Sequence, residues 1–262
     1  MPRIAAVLVL TLVCSGCLKS TTVISVRPDG TGTIVQETGL SPEALAMLQG
    51  FAGAAAGQKG GSPEIFGEAQ AKKAASTMGV RFISGEPIKT AELEGYRARF
   101  AFDDVRTLQM KMNQNPTEGL GDGSHAAAPF GFGFDRRGDS ALLTITMPQE
   151  NPTAALDRIA PGLGRAGKGS AEENQQALEM MKAMMKGLYV DVSLDIDGRI
   201  VKTNAPHVDG RRLTLMQIDF DKLLANATAL EKLQSASDLK SLGAVPGLKV
   251  ITEPTVTVEF VK

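Results

Sequence analysis

The only two cysteines of this 262-residue chain, Cys14 and Cys17, lie close to its N-terminus. Residues 18–262 contain no cysteine, so a body folded from them has neither a disulfide nor a cysteine-based metal site. Tryptophan is absent and aromatic residues make up 5% of the chain, so the core must consist mainly of aliphatic side chains and methionine. Apolar residues at 43% and charged residues at 22% are typical of a globular protein with a real apolar core.

The N-terminal segment has the layout of an export signal. Met1, Pro2 and Arg3 form a short, positively charged start, and residues 4–13 are apolar except for one threonine. This run is too short to span a bilayer. The following stretch Cys14-Ser15-Gly16-Cys17 resembles the lipobox of bacterial lipoproteins at three of its four positions, with Cys14 where leucine is usual.

The lipobox resemblance implies cleavage after Gly16, diacylglycerol on the Cys17 sulfur and a fatty acid such as palmitate on the new amino group. Two or more acyl chains make a stable membrane anchor. The alternative is a signal that stays uncleaved or is cleaved without lipidation. The resulting division is a lipoprotein signal peptide at 1–16, a lipidated N-terminus and linker at 17–21, and an exported region at 22–262.

We therefore expect a protein anchored to the cell membrane on its exported face. In a host with two membranes it would be periplasmic or at the outer membrane, and Leu18, in place of aspartate, favours the outer one. The 28 basic and 29 acidic residues nearly balance, which argues against nucleic-acid binding and against purely electrostatic attraction to a membrane. The partner that the sequence predicts is membrane lipid, through the covalent anchor.

Local signals predict an α+β fold with antiparallel sheets and packed helices. Turn residues at 28–30 and 135–138 separate β-prone runs, which indicates two hairpins. Ser-Pro-Glu at 41–43 and again at 62–64 is typical of a helix start. The other predicted elements are a helix end at Gly79, a helix over 170–187, alternating strands over 96–102 and 190–196, a helix over 221–235 and a closing strand within 247–261.

These signals recur at an offset of about 108 residues. Gly30 and Gly138 keep this spacing, and so do Gly79 and Gly187. The order of elements indicates an internal duplication, with halves at 22–115 and 130–235. Coincidence among common residues is the alternative.

Four methionines, Met180, Met181, Met184 and Met185, cluster on the predicted helix over 170–187 and are the candidate ligand-binding residues. Core packing is the interpretation that their spread over a broad face favours. A lipid-facing groove comes second. A Cu(I) site comes last, because thioethers are soft ligands that can hold this ion.

A glycine-rich stretch at 162–168 satisfies the G-x-x-x-x-G-K pattern of a phosphate-binding loop. Gly169 follows it where serine or threonine should hold Mg²⁺, and the preceding residues look helical, so we interpret the stretch as a helix connection. The acidic residues at 191–197 alternate along a strand and are typical of a solvated sheet face. His125 and His207 stand far apart, and no catalytic residue, metal site or cofactor is predicted.

The stretch Val190 to Asp219 resembles the LppM-like domain of bacterial lipoproteins. Its alternating strand leads to Gly198, Asn204, the pair Asp209-Gly210 and a second strand from Leu213, and the hairpin around 28–30 is similar too. The second strand lacks the family's aromatic residue. The resemblance implies an α+β fold with antiparallel strands and lipid or glycolipid binding, and it transfers no site residues.

Three functional hypotheses follow. The first is a non-catalytic binding module for an apolar or envelope-derived ligand, favoured by the anchor and the methionine-rich helix. The second is a structural or assembly partner of other cell-envelope proteins, which requires a continuous exposed apolar patch. The third is an enzyme, which requires a pocket where ionisable residues converge. The sequence names no protein partner.

Overall fold

The structure, a computed structural model, describes residues 18–46, 66–110, 129–148, 179, 186–226, 228–229, 232–233 and 239–262. Within them, strands carry most of the fold. The strands are β1 (Leu18–Val26), β2 (Gly32–Leu40), β3 (Arg81–Lys89), β4 (Glu94–Phe102), β5 (Gly131–Arg137), β6 (Ser140–Thr146), β7 (Tyr189–Ile196), β8 (Arg199–Thr203), β9 (Val208–Asp209), β10 (Arg212–Asp219), β11 (Leu248–Val250) and β12 (Thr255–Val261). The helices are α1 (Glu68–Met78), α2 (Phe220–Ala225) and α3 (Leu239–Gly243), with a 3₁₀ turn at Val105–Thr107.

The larger sheet has the strand order β11-β10-β7-β1-β2-β4-β3, and β9 pairs with β10 outside this path. β1 lies in the middle, antiparallel to β2 and parallel to β7. The expectation of purely antiparallel sheets is therefore wrong at this ladder. A tight turn forces its two strands to be antiparallel, whereas a long connection such as the one between β1 and β7 leaves both directions open.

The smaller sheet has the order β5-β6-β12-β8 and is antiparallel throughout. Alternate residues of its strands are buried, as in β6, where Ala141, Leu143 and Ile145 point into the core. The same core contains Ile24 and Leu194 from the larger sheet, both fully buried. One continuous core therefore joins the two sheets.

Helices contribute less than the sequence predicts, and sheets covered by packed helices are not supported in the described part of the chain. The helix predicted from Ser62 begins at Glu68 but ends at Gly79, as predicted. The helix predicted over 221–235 is interrupted at Asn226, whose backbone is extended. Its side-chain oxygen accepts hydrogen bonds from the Thr228 amide and hydroxyl, which favours a turn over a continuous helix.

The predicted hairpins are confirmed, and so are the strands over 96–102 and 190–196. Ser41 also caps a helical turn, because its hydroxyl oxygen accepts a hydrogen bond from the Ala44 amide at 3.2 Å. The lipidated N-terminus and linker expected at 17–21 overlaps β1, which begins at Leu18. Threonine and isoleucine from residue 21 onwards favour a strand, and pairing on both sides extends it towards the N-terminus.

The two halves are not copies of one folded unit. Gly30 and Gly138 both have positive φ in hairpin turns, and Gly79 and Gly187 both have positive φ two residues before a strand. In the first half, however, β1, β2, β4 and β3 share one sheet, whereas in the second half β5 and β6 belong to a different sheet from β7 and β10. The spacing of 108 residues therefore reflects similar local turns and not a repeated strand order.

Candidate ligand-binding cleft

A cleft of about 230 Å³ opens where β1 and β7 end. The parallel register pairs Val26 with Ile196, so the segments that follow these two strands emerge side by side. The start of β2 and the residue before β10 complete the walls. The cleft is lined by Ser25, Arg27, Thr33, Asp195, Ile196, Asp197 and Arg211.

Backbone hydrogen bonds fix the walls of the cleft. The Asp197 amide donates to the Val26 carbonyl at 2.9 Å, and the Ile196 amide donates to the Arg211 carbonyl at 3.0 Å. These two bonds connect β7 to β1 on one side and to the residue before β10 on the other. The position of the cleft therefore depends on strand pairing, which is the most rigid part of such a fold.

The turn between β1 and β2 orients Arg27. The Asp29 carboxylate accepts hydrogen bonds from the Thr31 amide at 2.9 Å and from the Thr31 hydroxyl at 2.8 Å. The amide bond is the main reason that the pKa of Asp29 lies below its usual value, and the hydroxyl bond lowers it further. The Arg27 guanidinium in turn donates to the same hydroxyl oxygen at 3.0 Å.

The charged groups of the cleft are largely free to meet a ligand. Among the described residues, Arg211, Asp195 and Asp197 have no ion-pair or side-chain hydrogen-bond partner, and Arg27 bonds only to a neutral hydroxyl. Guanidinium groups bind carboxylates and phosphates in a forked geometry, whereas carboxylates accept hydrogen bonds from ammonium groups. A cleft that holds both is suited to a zwitterion.

A buried polar network lies beside the cleft on β7 and β10. Asp191 is 7% exposed and Ser193 is fully buried. The Ser193 hydroxyl donates to Asp191 Oδ1 at 3.0 Å and accepts from Arg212 at 2.7 Å, while Arg212 lies 3.7 Å from the same carboxylate oxygen. The expectation that the acids over 191–197 form a solvated face is therefore wrong at Asp191, because Arg212 and Ser193 replace water as its partners.

The residues of the LppM-like sequence pattern have structural roles in the fold. The Asn204 side chain donates to the Thr255 carbonyl at 3.0 Å and accepts from the Thr257 amide at 2.7 Å, which ties it to β12. Gly198 lies so close to the Val261 carbonyl that a Cβ atom would be 2.3 Å from its oxygen. Gly210 has φ +59° in the β9–β10 turn. These roles explain the pattern without a ligand.

Several predicted sites lie outside the described residues. These are Cys17, the four methionines Met180, Met181, Met184 and Met185, and the glycine-rich stretch 162–168. His207 is described, and its carbonyl accepts from the Thr214 amide. In the described ranges no group of three His, Cys, Asp or Glu side chains is placed to hold a metal ion, and no helix there is both long and apolar enough to cross a bilayer.

Sequence reasoning missed Arg27 and Arg211, the two cationic residues of the cleft. Each flanks a turn with a glycine at positive φ, Gly30 and Gly210, which was a usable local signal. What brings them together is the β1–β7 ladder, whose strands are far apart in the chain. No local pattern predicts such a pairing.

The fold and the cleft define a mostly β protein of two sheets with a charged cleft at the ends of its central strands. No family model matches the sequence, and no curated protein matches it. Among solved structures, the chain is similar to the folded domain of the Mycobacterium tuberculosis protein LppM, determined by NMR, at 9% identity and a TM-score of 0.36, over 94% of this chain and 91% of that one. At this identity and score the likeness identifies neither a shared fold nor a shared activity.

Proposed function

We propose that this protein is an exported lipoprotein, held at a membrane by acylated Cys17, whose folded body is a non-catalytic binding module. The lipobox-like residues 14–17 support the anchor. The observation that carries the binding role is the cleft, where two guanidinium groups and two carboxylates line one fixed concave surface.

We propose a polar, zwitterionic ligand derived from the cell envelope. The sequence alone allowed an apolar ligand as well, but the cleft is lined almost entirely by charged and hydroxyl side chains, with Ile196 as the apolar residue. An anionic group of the ligand would bind between Arg27 and Arg211, and a cationic group would bind Asp195 or Asp197. Apolar ligands prefer pockets lined by hydrophobic side chains.

Binding of phosphoethanolamine tests this assignment, because this soluble molecule carries a phosphate and an ammonium group. Isothermal titration of the detergent-solubilised protein is expected to show saturable binding, weakened at least tenfold by Arg211→Ala. Arg136→Ala, on β5 and outside the cleft lining, is the matched control and is expected to leave the affinity unchanged. Absence of binding, or equal weakening by both substitutions, would contradict the proposed site.

Nothing in the described part of the chain favours the alternative of an assembly partner. Its large exposed apolar side chains are Ile83, Val201 and Val208. They belong to β3, β8 and β9, which do not pair with one another. Single exposed apolar residues are normal on monomeric proteins and do not form the patch that an assembly surface needs.

A further inference from the structure

No linker separates Cys17 from the larger sheet. β1 begins at the next residue, where Leu18 pairs with Leu40 of β2, and Lys19 then pairs with Tyr189 of β7. Consecutive Cα atoms are about 3.8 Å apart. Acyl chains on Cys17 would therefore hold the start of β1 within one residue of the lipid headgroups.

The start of β1 lies in the middle of one end of the sheet. Three strands, β7, β10 and β11, follow on one side of β1, and β2, β4 and β3 follow on the other. With strands about 4.8 Å apart, the sheet extends roughly 14 Å to either side of the anchor. A tether at the centre of this end, and not at a corner or on a face, orients the whole end towards the membrane.

Among the described residues, this end of the sheet carries two ion pairs. The Lys89 ammonium lies 3.4 Å from Glu94, and Lys222 lies 2.8 Å from Asp219. Strand pairing connects Lys89 to Glu94, Glu94 to Leu40 and Leu40 to Leu18, so these four residues lie in one row across the end of the sheet. Such a surface can rest among zwitterionic headgroups without a strong net field, so the acyl chains provide the attachment.

The cleft lies at the opposite end of the same strand. β1 has nine residues, so at about 3.3 Å per residue Val26 is about 26 Å from Leu18. Arg27 follows Val26, and Asp197 is bonded to the Val26 carbonyl. The anchor and the cleft are thus separated by the full length of the sheet.

We infer, on the basis of the proposed lipidation of Cys17, that the end of the larger sheet where β1 begins is the membrane-facing surface of this protein. Its partner is the zwitterionic headgroup layer of the bilayer that holds the anchor. The cleft points away from that bilayer and takes its ligand from the aqueous side. Headgroups of the anchoring membrane do not reach it.

The absence of tryptophan from the chain makes the inference directly testable. Lys89→Trp places a fluorescent reporter level with Leu18, and Asp103→Trp places one just beyond Phe102, which is level with Gly32 and Val26. Both native side chains are largely exposed. In phosphatidylcholine vesicles with nitroxide-labelled headgroups, the full-length lipidated protein is expected to lose at least threefold more fluorescence at position 89 than at position 103.

A linker variant serves as the matched control. Ten glycine and serine residues inserted between Cys17 and Leu18 release the sheet from the headgroups, so the difference between the two reporters is expected to disappear. Equal or reversed quenching in the uninterrupted protein, with the protein still floating with the vesicles, would overturn the orientation alone. Failure of both reporter variants to float would instead overturn the lipid anchor, and the orientation with it.

Discussion

At the scale of single residues, Asp29 controls the geometry of one wall of the cleft. Its carboxylate accepts two hydrogen bonds from Thr31, and the Thr31 hydroxyl accepts one from Arg27. The chain of contacts fixes the turn and limits the positions that the Arg27 guanidinium can take. A short Asx-type turn of this kind is a common way to order a hairpin loop.

The lowered pKa of Asp29 predicts a pH-dependent contribution to stability. A carboxyl with a depressed folded-state pKa stabilises the fold above its unfolded-state pKa of about 3.9, and this stabilisation is lost as the pH falls through the folded-state value. Asp29→Asn is therefore expected to lower the free energy of unfolding by about 0.5 kcal/mol at pH 6, because the turn is exposed and solvent screens the bond. The deficit should be smaller at pH 3, which lies below that unfolded-state pKa.

Urea unfolding followed by circular dichroism at both pH values measures this effect. Asp139→Asn in the β5–β6 turn is the matched control, since no described residue donates a hydrogen bond to that carboxylate. We expect no pH-dependent difference for the control. An Asp29→Asn deficit that is the same at both pH values would show that the charge of the carboxylate does not stabilise the turn.

At the scale of secondary structure, two adjacent arginines at the start of β10 have different surroundings. Arg212 bonds to the buried Ser193 hydroxyl and lies near the buried Asp191 carboxylate. Arg211 lines the cleft and has no ion-pair partner among the described residues. Successive side chains of a strand point to opposite faces of the sheet. Arg211 also precedes the first residue of β10, so the two side chains can have different roles.

Arg212→Ala is expected to lower the free energy of unfolding by about 1–2 kcal/mol, because it removes a donor to buried polar groups. Arg211→Ala is expected to change it by less than about 0.5 kcal/mol, as is usual for an exposed, unpaired side chain. Parallel urea titrations of the two variants compare these values. A larger loss for Arg211→Ala than for Arg212→Ala would mean that the network does not stabilise the ladder.

The same elements show what the sequence could and could not predict. Pro28, Asp29 and Gly30 specify their hairpin locally, and the alternation from Val190 specifies β7, so both were predictable. The parallel pairing of β1 with β7 was not, because its contacts join distant parts of the chain. Since Arg27 and Asp195 reach the same cleft only through that pairing, the cleft could not be predicted either.

At the scale of the whole molecule, the larger sheet has two chemically different ends. One end begins at the residue after Cys17 and carries two ion pairs among the described residues. The other carries the charged cleft. In this account the acyl chains fix the position of the protein, and the length of β1 fixes the height at which the cleft meets its ligand.

The intact mass of the protein purified from its native membrane tests the proposed lipid anchor. We expect a chain that starts at Cys17, lacks residues 1–16 and carries diacylglycerol with a further acyl chain, whereas Cys17→Ser carries none of these lipids and leaves the membrane fraction. A wild-type mass that matches an unmodified chain, or a Cys17→Ser protein that floats with the membranes as before, would contradict it.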